Sequence, residues 1–438
     1  MSTGAALDPP EVGRGRAAAL SALVAAAVAL FVTTGAEADV LGAVSVMAAA
    51  SLVGWLAWRT PAVCAPLLLA FFLRALASVV QAYLMPLPGS GLDAVNFELI
   101  GWSYAGGSWG DLAANFRSGA LLYSWLIGLL YWLFGRSVLM VQVVNALLGT
   151  LVVYNVFLIA RLLWGDAAAR RGAFVAAMFP TLVLFSAITL REQMVGYPLT
   201  LGALWIARWR ETDRIGWLAG AMVAFVAAIA FHTVVIGAIA YAAVAVVGRA
   251  LQALRRGEVG GSLKAVIGLG VVVAMVAGVF LSGWGGGNVL WWFAVLNNLD
   301  SAVGGQQMGG QVDRTDYLTW MVTRSPLDVA WQLPIRAVFF FFMPFPWLVR
   351  AVVDLVGLVD AALYAWLFWS LRSIFPAVWR RPAGRSVFLL MMSVALVFSL
   401  VISNYGTAIR QRGKVAPLLV ALAAGSLVRR KTEEGARG

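Results

Sequence analysis

Residues 63–85, VCAPLLLAFFLRALASVVQAYLM, carry one charge, Arg74, in twenty-three positions. A helix needs about 20 mostly apolar residues to cross a bilayer. Similar runs recur at roughly 17–34, 40–58, 137–160, 172–188, 193–208, 215–231, 233–248, 263–282, 352–373, 386–403 and 414–428. Within lipid only helices and closed barrels satisfy all of their backbone hydrogen bonds. The period-two alternation of a barrel strand is absent from these runs. The sequence therefore predicts an all-α polytopic membrane protein of about twelve spans. Composition agrees: 62% of the 438 residues are hydrophobic and 12% charged, against about 25% charged in soluble domains.

The formal net charge is +12. In a soluble chain that would suggest nucleic acid; here the basic residues sit in short runs between apolar segments, as membrane topology is written, so no nucleic-acid partner is expected. With the N-terminus inside, the cytoplasmic segments are the N-terminus, the Arg59 turn, 161–171, 208–214, 249–258, 380–385 and the tail 429–438. Counting Lys264 and Arg372 near span ends, 21 of the 32 Lys and Arg fall inside, ten fall outside and Arg74 lies within a span. This obeys the positive-inside rule only if 119–135 and 331–349 lie along the interface. The second of these contains Pro344 and Pro346 in FFFFMPFPW, which disfavour a continuous helix. Arg14 and Arg16 before the first run, and Ala36-Glu37-Ala38 after it, are read as an uncleaved first helix rather than a removed signal.

The resulting organisation is N-terminal spans over 1–85, a first outer loop with interfacial helices over 86–136, a central core over 137–282, a second outer loop with an interfacial helix over 283–351, C-terminal spans over 352–428 and a cytoplasmic tail. The single cysteine, Cys64, excludes an internal disulfide, and the single histidine, His232, excludes a multi-histidine metal site. No cofactor is expected. The acids of the second loop (Asp300, Asp313, Asp316, Asp328) could bind a divalent cation, but their spacing matches no known metal loop.

Polar residues expected on the outer face fall in four places: Asp93 and Glu98 in GLDAVNFELIGWSYA, Arg191 and Glu192 in TLREQM, the second outer loop, and Tyr405, Arg410, Arg412 and Lys414 in NYGTAIRQRGKVAP. A carboxylate can act as general base on a sugar hydroxyl. Guanidinium groups can bind a phosphate bidentately and stabilise it as a leaving group. Less specific readings stand beside these. Asp93 suits an N-cap; Glu98 suits a solvated interfacial acid; Arg191 and Glu192 could pair locally; the cations at 410–414 could anchor a span by snorkelling. Arg74, with Asp360 as a candidate partner, is flagged by its intramembrane charge, and His232 reads as a hydrogen-bonded helix end.

The order of these parts resembles the GT-C class of integral-membrane glycosyltransferases, including the protein O-mannosyltransferases and the aminoarabinose transferases of lipid A. The resemblance rests on Asp93 and Phe97 in DAVNFELIGWSYA, on ALLYSWLIGLLYWLFG (120–135), on VQVVNALLGTLVVYNVFLIARLLWGDAAARRGAFVAAMFP (141–180), and on TLRE and AIRQRGKVAP. Many relatives carry two adjacent acids and a Tyr where this chain has Asp93, Ala94 and Phe97, and the first two spans look like additions. The resemblance implies an inverting transferase with Asp93 as general base and Arg191, Arg410 and Arg412 as donor-phosphate ligands; Glu192, Glu98, Tyr405 and Lys414 join them as candidate substrate contacts. The implied donor is a polyprenyl-(pyro)phosphate-linked saccharide. The implied acceptor is a saccharide or lipid-linked hydroxyl at the outer face of a bacterial inner membrane. PFPW and NYGTAIRQR look like the subgroup that polymerises polysaccharide repeat units. The competing readings are a lipid-linked oligosaccharide flippase and a non-enzymatic export-complex subunit.

Overall fold

The computed structural model describes residues 39–257, 259–281, 314–321, 323 and 325–428. Over these the chain is helical with short turns and no strand; one isolated bridge joins Asp316 to Asn404. The expected first span at 17–34, Asp300, Asp313, Arg324 and the tail lie outside the described residues. In order the helices are α1 (Val40–Arg59), α2 (Cys64–Val79), α3 (Leu92–Ala105), α4 (Trp109–Ala114), α5 (Ala120–Phe134), α6 (Val138–Trp164), α7 (Asp166–Met178), α8 (Pro180–Ala187), α9 (Glu192–Thr212), α10 (Ile215–Phe231), α11 (Ile236–Arg255), α12 (Val259–Leu281), α13 (Pro326–Phe342), α14 (Val352–Arg380), α15 (Pro382–Val401), α16 (Tyr405–Arg412) and α17 (Ala416–Ala423).

Six helical segments among the described residues are long and apolar enough to cross a membrane, or seven if the bent pair α7–α8 counts as one span. The chain is a multi-pass membrane protein. The expected spans at 193–208, 215–231 and 414–428 fall on α9, α10 and α17, which do not meet that measure alone. α10 has 17 residues and α17 has 8, so each is short for a crossing by itself. α5, at 15 residues, falls short of a span and packs on α3. Gly101 and Gly128 allow that packing: a Cβ on Gly101 would sit 2.6 Å from Ile127 Cγ2, and one on Gly128 would sit 2.9 Å from the Gly101 carbonyl oxygen. Small residues at helix crossings bring backbones together in membranes.

The α7–α8 break follows from Pro180, which has no N–H to return to the Ala176 carbonyl; the two helices meet at 54°. The orphaned carbonyls find Arg74. Its guanidinium donates to Ala177 O at 3.1 Å, Ala176 O at 3.4 Å and Ala70 O at 3.0 Å. The sequence offers Asp360 as its partner; the structure gives Asp360 to Arg412. Arg74 is thus explained as a side-chain cap for a kinked helix, which places a cation where carbonyl dipoles are unpaired.

Side-chain contacts sort the loops into two ends. At one end Asp39 accepts from Tyr83 Oη at 2.6 Å and Ser137 Oγ at 2.8 Å, and Tyr317 N donates to Ser403 O at 2.7 Å. At the other, Arg161 pairs with Asp166 at 2.7 Å, Arg249 with Asp213 at 2.6 Å, and Arg171 and Arg381 bond the carbonyls of Leu427 and Leu163. The arginine-rich segments 161–171, 208–214, 249–257 and 380–385 therefore share one end of the bundle.

Candidate functional site

The chain reaches the first end from four directions. α3 begins there, with Gly91 as N-cap and Asp93 in its first turn. The N-cap role considered for Asp93 belongs to Gly91, which leaves the carboxylate free to reach across the bundle. Arg410, on α16, meets it: Nη1 donates to Asp93 Oδ2 at 2.6 Å. The same guanidinium turns its Nε toward Glu192 Oε1 at 3.0 Å. Lys414 pairs with the other oxygen of Glu192 and also bonds Gln411 Oε1. Arg410 therefore bridges two unlike carboxylates. The Asp93 side chain is 58% exposed at the rim; that of Glu192 is 4% exposed at the floor.

Arg191 stands beside them. It donates to the Phe231 carbonyl at 2.7 Å, and its guanidinium carbon lies 5.9 Å from the Phe97 ring centre. Phe97 is one turn along α3 from Asp93. The local Arg191–Glu192 ion pair is replaced by this arrangement, in which Glu192 serves residues more than two hundred positions away. His232 ends α10 in extended backbone next to Phe231. Its ring packs on Phe398, as does Lys414, and its Nδ1 is buried without a hydrogen-bond partner among the described residues.

Electrostatics fixes the charge states. Burial opposes the charge on Arg410, but Glu192 and Asp93 outweigh it and its pKa is raised. Burial likewise opposes the Glu192 carboxylate, yet Lys414, Arg410 and Arg191 together lower its pKa. For His232 burial and the three neighbouring cations act in the same direction, holding the imidazole neutral at pH 7. Three cations and two carboxylates leave one net positive charge beside an open rim, where an anion can displace an exposed acid.

Three further expectations change. Arg412 is fully buried and committed: Nε meets Asp360 Oδ2 at 2.6 Å, and its other nitrogens donate to the carbonyls of Phe341 at 2.9 Å, Met343 at 2.7 Å and Gly357 at 3.1 Å. Two residues from Arg410 on a helix, it points to a different face, where it ties α13, α14 and α16 together. Tyr405 bonds Arg314 and Asp354, tying the segment before α13 to the start of α14. Asp354 is itself buried as that helix's cap. Glu98 is buried rather than solvated: Arg136 holds it bidentately at 2.9 and 3.0 Å, and Tyr131 adds a third bond. Among the described residues no group of three or more His, Cys, Asp or Glu side chains is arranged to hold a metal.

Sequence reasoning passed over Asn145, one of three amides, with Gln142 and Asn155, inside the long apolar helix α6. Its Nδ2 lies within 2.9 Å of Tyr123 Oη, Ile188 O and Leu190 O. It therefore holds the turn that aims Arg191 and Glu192. A polar residue in mid-run was the available signal, since burial of an amide requires partners. Asn145→Ala would leave those carbonyls unsatisfied at about 1–3 kcal/mol each. The expected result is a folded protein with a lower unfolding temperature and weakened ligand binding at Arg191, read by thermal denaturation with and without ligand.

Residues 118–281 match the family model described as dolichyl-phosphate-mannose-protein mannosyltransferase. The match takes in Asn145, Arg191, Glu192 and His232. Over these residues the chain is similar to that family of mannosyltransferases. Among solved structures, the crystal structure of ArnT from Cupriavidus metallidurans bound to undecaprenyl phosphate is similar to the chain at 18% identity and a TM-score of 0.49, over 84% of this chain and 60% of that one. This chain thus spans less than two thirds of that protein's length. No curated protein matches.

Proposed function

We propose that the protein transfers a sugar from a polyprenyl-phosphate or pyrophosphate carrier to a hydroxyl acceptor, with inversion, at the end of the bundle where Asp93 and Arg410 meet. The observation that carries this reading is the double engagement of Arg410, by an exposed carboxylate on one side and a buried one on the other. An exposed ion pair contributes about 0–1 kcal/mol, so a donor phosphate can take the place of Asp93 cheaply. Breaking the buried side would cost about 3–5 kcal/mol, so Glu192 keeps Arg410 in position. Donor binding then frees the Asp93 carboxylate beside the anomeric carbon. The acceptor oxygen attacks that carbon and its proton passes to Asp93. The carbon–oxygen bond to phosphate breaks, and the leaving phosphate keeps the electron pair under Arg410 and Arg191. The matched family's description names a phosphate-linked polyprenyl sugar donor, which fits a site with a net positive charge.

The same reading puts this end outside the cell membrane and both termini in the cytoplasm, because the arginine-rich loops gather at the opposite end. The acceptor is a saccharide hydroxyl at a bacterial inner-membrane surface, and assembly of a surface polysaccharide by joining repeat units is the form of the reaction the outer-loop motifs favour. The test uses purified protein in nanodiscs with a labelled polyprenyl-phosphate sugar. Arg410→Gln removes a charge-assisted contact of about 1.5–3 kcal/mol, so donor affinity should fall about 10–150-fold while the fold persists. Unchanged donor affinity, or lipid flipping without sugar transfer, would overturn the reading; product length separates single transfer from polymerisation.

A further inference from the structure

At the opposite end of the bundle lies a second charged cavity, of about 300 Å³, which the transfer chemistry does not use. Its walls carry Arg210, Arg249, Arg256 and Arg385, with Asp213 as the acid among its lining residues. These come from the ends of α9, α11 and α15, so three helices turn cations inward to one space. Asp213 pairs with Arg249 at 2.6 Å, and Arg210 and Arg385 bring two further positive charges to the same space. Arg210 has its Nε buried without a hydrogen-bond partner among the described residues. Its neighbours Arg249 and Arg385 are close enough to repel it, adding to the effect of burial. Arginines that served only to mark the inner side of a membrane would spread into water.

The cavity does not end in solvent alone. Arg210, Arg249, Gln252 and Arg385 also line a second hollow of about 460 Å³ that continues between α11 and α15. That hollow is apolar: Tyr241, Val244, Ala245, Leu389, Met392 and Leu396 form its walls, and Val244 is 72% exposed. A basic pocket at a helix end, opening into an apolar groove along the membrane, complements a molecule with an anionic head and a hydrocarbon tail. We propose that this site binds an anionic phospholipid, with its headgroup phosphate among Arg210, Arg249 and Arg385 and an acyl chain in the α11–α15 groove.

Native mass spectrometry of the purified full chain, titrated with phosphatidylglycerol or phosphatidylcholine, tests the assignment. The wild type should retain phosphatidylglycerol about tenfold or more over phosphatidylcholine, and Arg210→Gln with Arg385→Gln should remove that preference. Val244→Trp fills the groove without changing charge. It should reduce phosphatidylglycerol retention by a similar factor while leaving binding of inorganic phosphate unchanged, and it decides the matter if the arginine double variant does not fold. No preference in the wild type, a preference that survives the groove-filling variant, or displacement of the lipid by inorganic phosphate at equal concentration would overturn the proposal. So would retention of polyprenyl phosphate in preference to phosphatidylglycerol.

Discussion

Replacing Asp93 by Asn is expected to slow sugar transfer by about 10²–10⁴-fold, the usual contribution of a general base, and to leave donor binding intact. The amide keeps the size of the carboxylate and can still accept from Arg410, whose Nη1 lies 2.6 Å away. It cannot take a proton from an attacking hydroxyl. Asp93 is exposed and its pair with Arg410 lies at the rim, so the fold should lose about 0–1 kcal/mol. Donor affinity should hold or rise slightly, since the phosphate no longer displaces a charged competitor from Arg410. Initial rates and equilibrium binding on one preparation make the check. Wild-type turnover in the variant would remove Asp93 from the mechanism, and a parallel loss of binding and rate would make it a positioning residue instead.

The second large effect belongs to a neighbour on the same short helix and should look entirely different. Arg412→Gln strands the Asp360 carboxylate, which is fully buried and otherwise bonded by Thr181. It also removes the donors to the carbonyls of Phe341, Met343 and Gly357. Removing one partner of a buried pair costs about 3–5 kcal/mol, against a total stability of about 5–15 kcal/mol for typical proteins. The variant should accumulate poorly and unfold at a much lower temperature. Asp360→Asn combined with Arg412→Gln should be less destabilised than the sum of the single changes, because no charge is left unpaired. If Arg412→Gln unfolds like the wild type and loses only donor binding, then Arg412 is a phosphate ligand after all.

These two arginines show how far a linear reading reaches. AIRQRGK presents Arg410, Arg412 and Lys414 as one basic cluster. A helix turns about 100° per residue, so the cluster divides. Arg410 on α16 and Lys414 in the turn after it both reach Glu192; Arg412 faces α14 and the end of α13. Glu98 divides from Asp93 in the same way. Both lie in α3, but residue 98 meets Arg136 and Tyr131 of the helical loop that follows.

The membrane class, most helix positions and the gathering of arginine-rich loops at one end were determined by the sequence alone. Each follows from local apolar length and local charge, quantities that need no knowledge of distant neighbours. The meeting of Asp93, Arg191 and Arg410 was legible as a set of residue types through family resemblance. Which cations stay available for a ligand was decided only in the tertiary structure. Availability depends on partners brought from far along the chain: Glu192 for Arg410 and Lys414, Asp360 for Arg412, and the carbonyls freed by Pro180 for Arg74. A charge in a membrane protein is defined by what desolvates and pairs it, and those partners are fixed by packing.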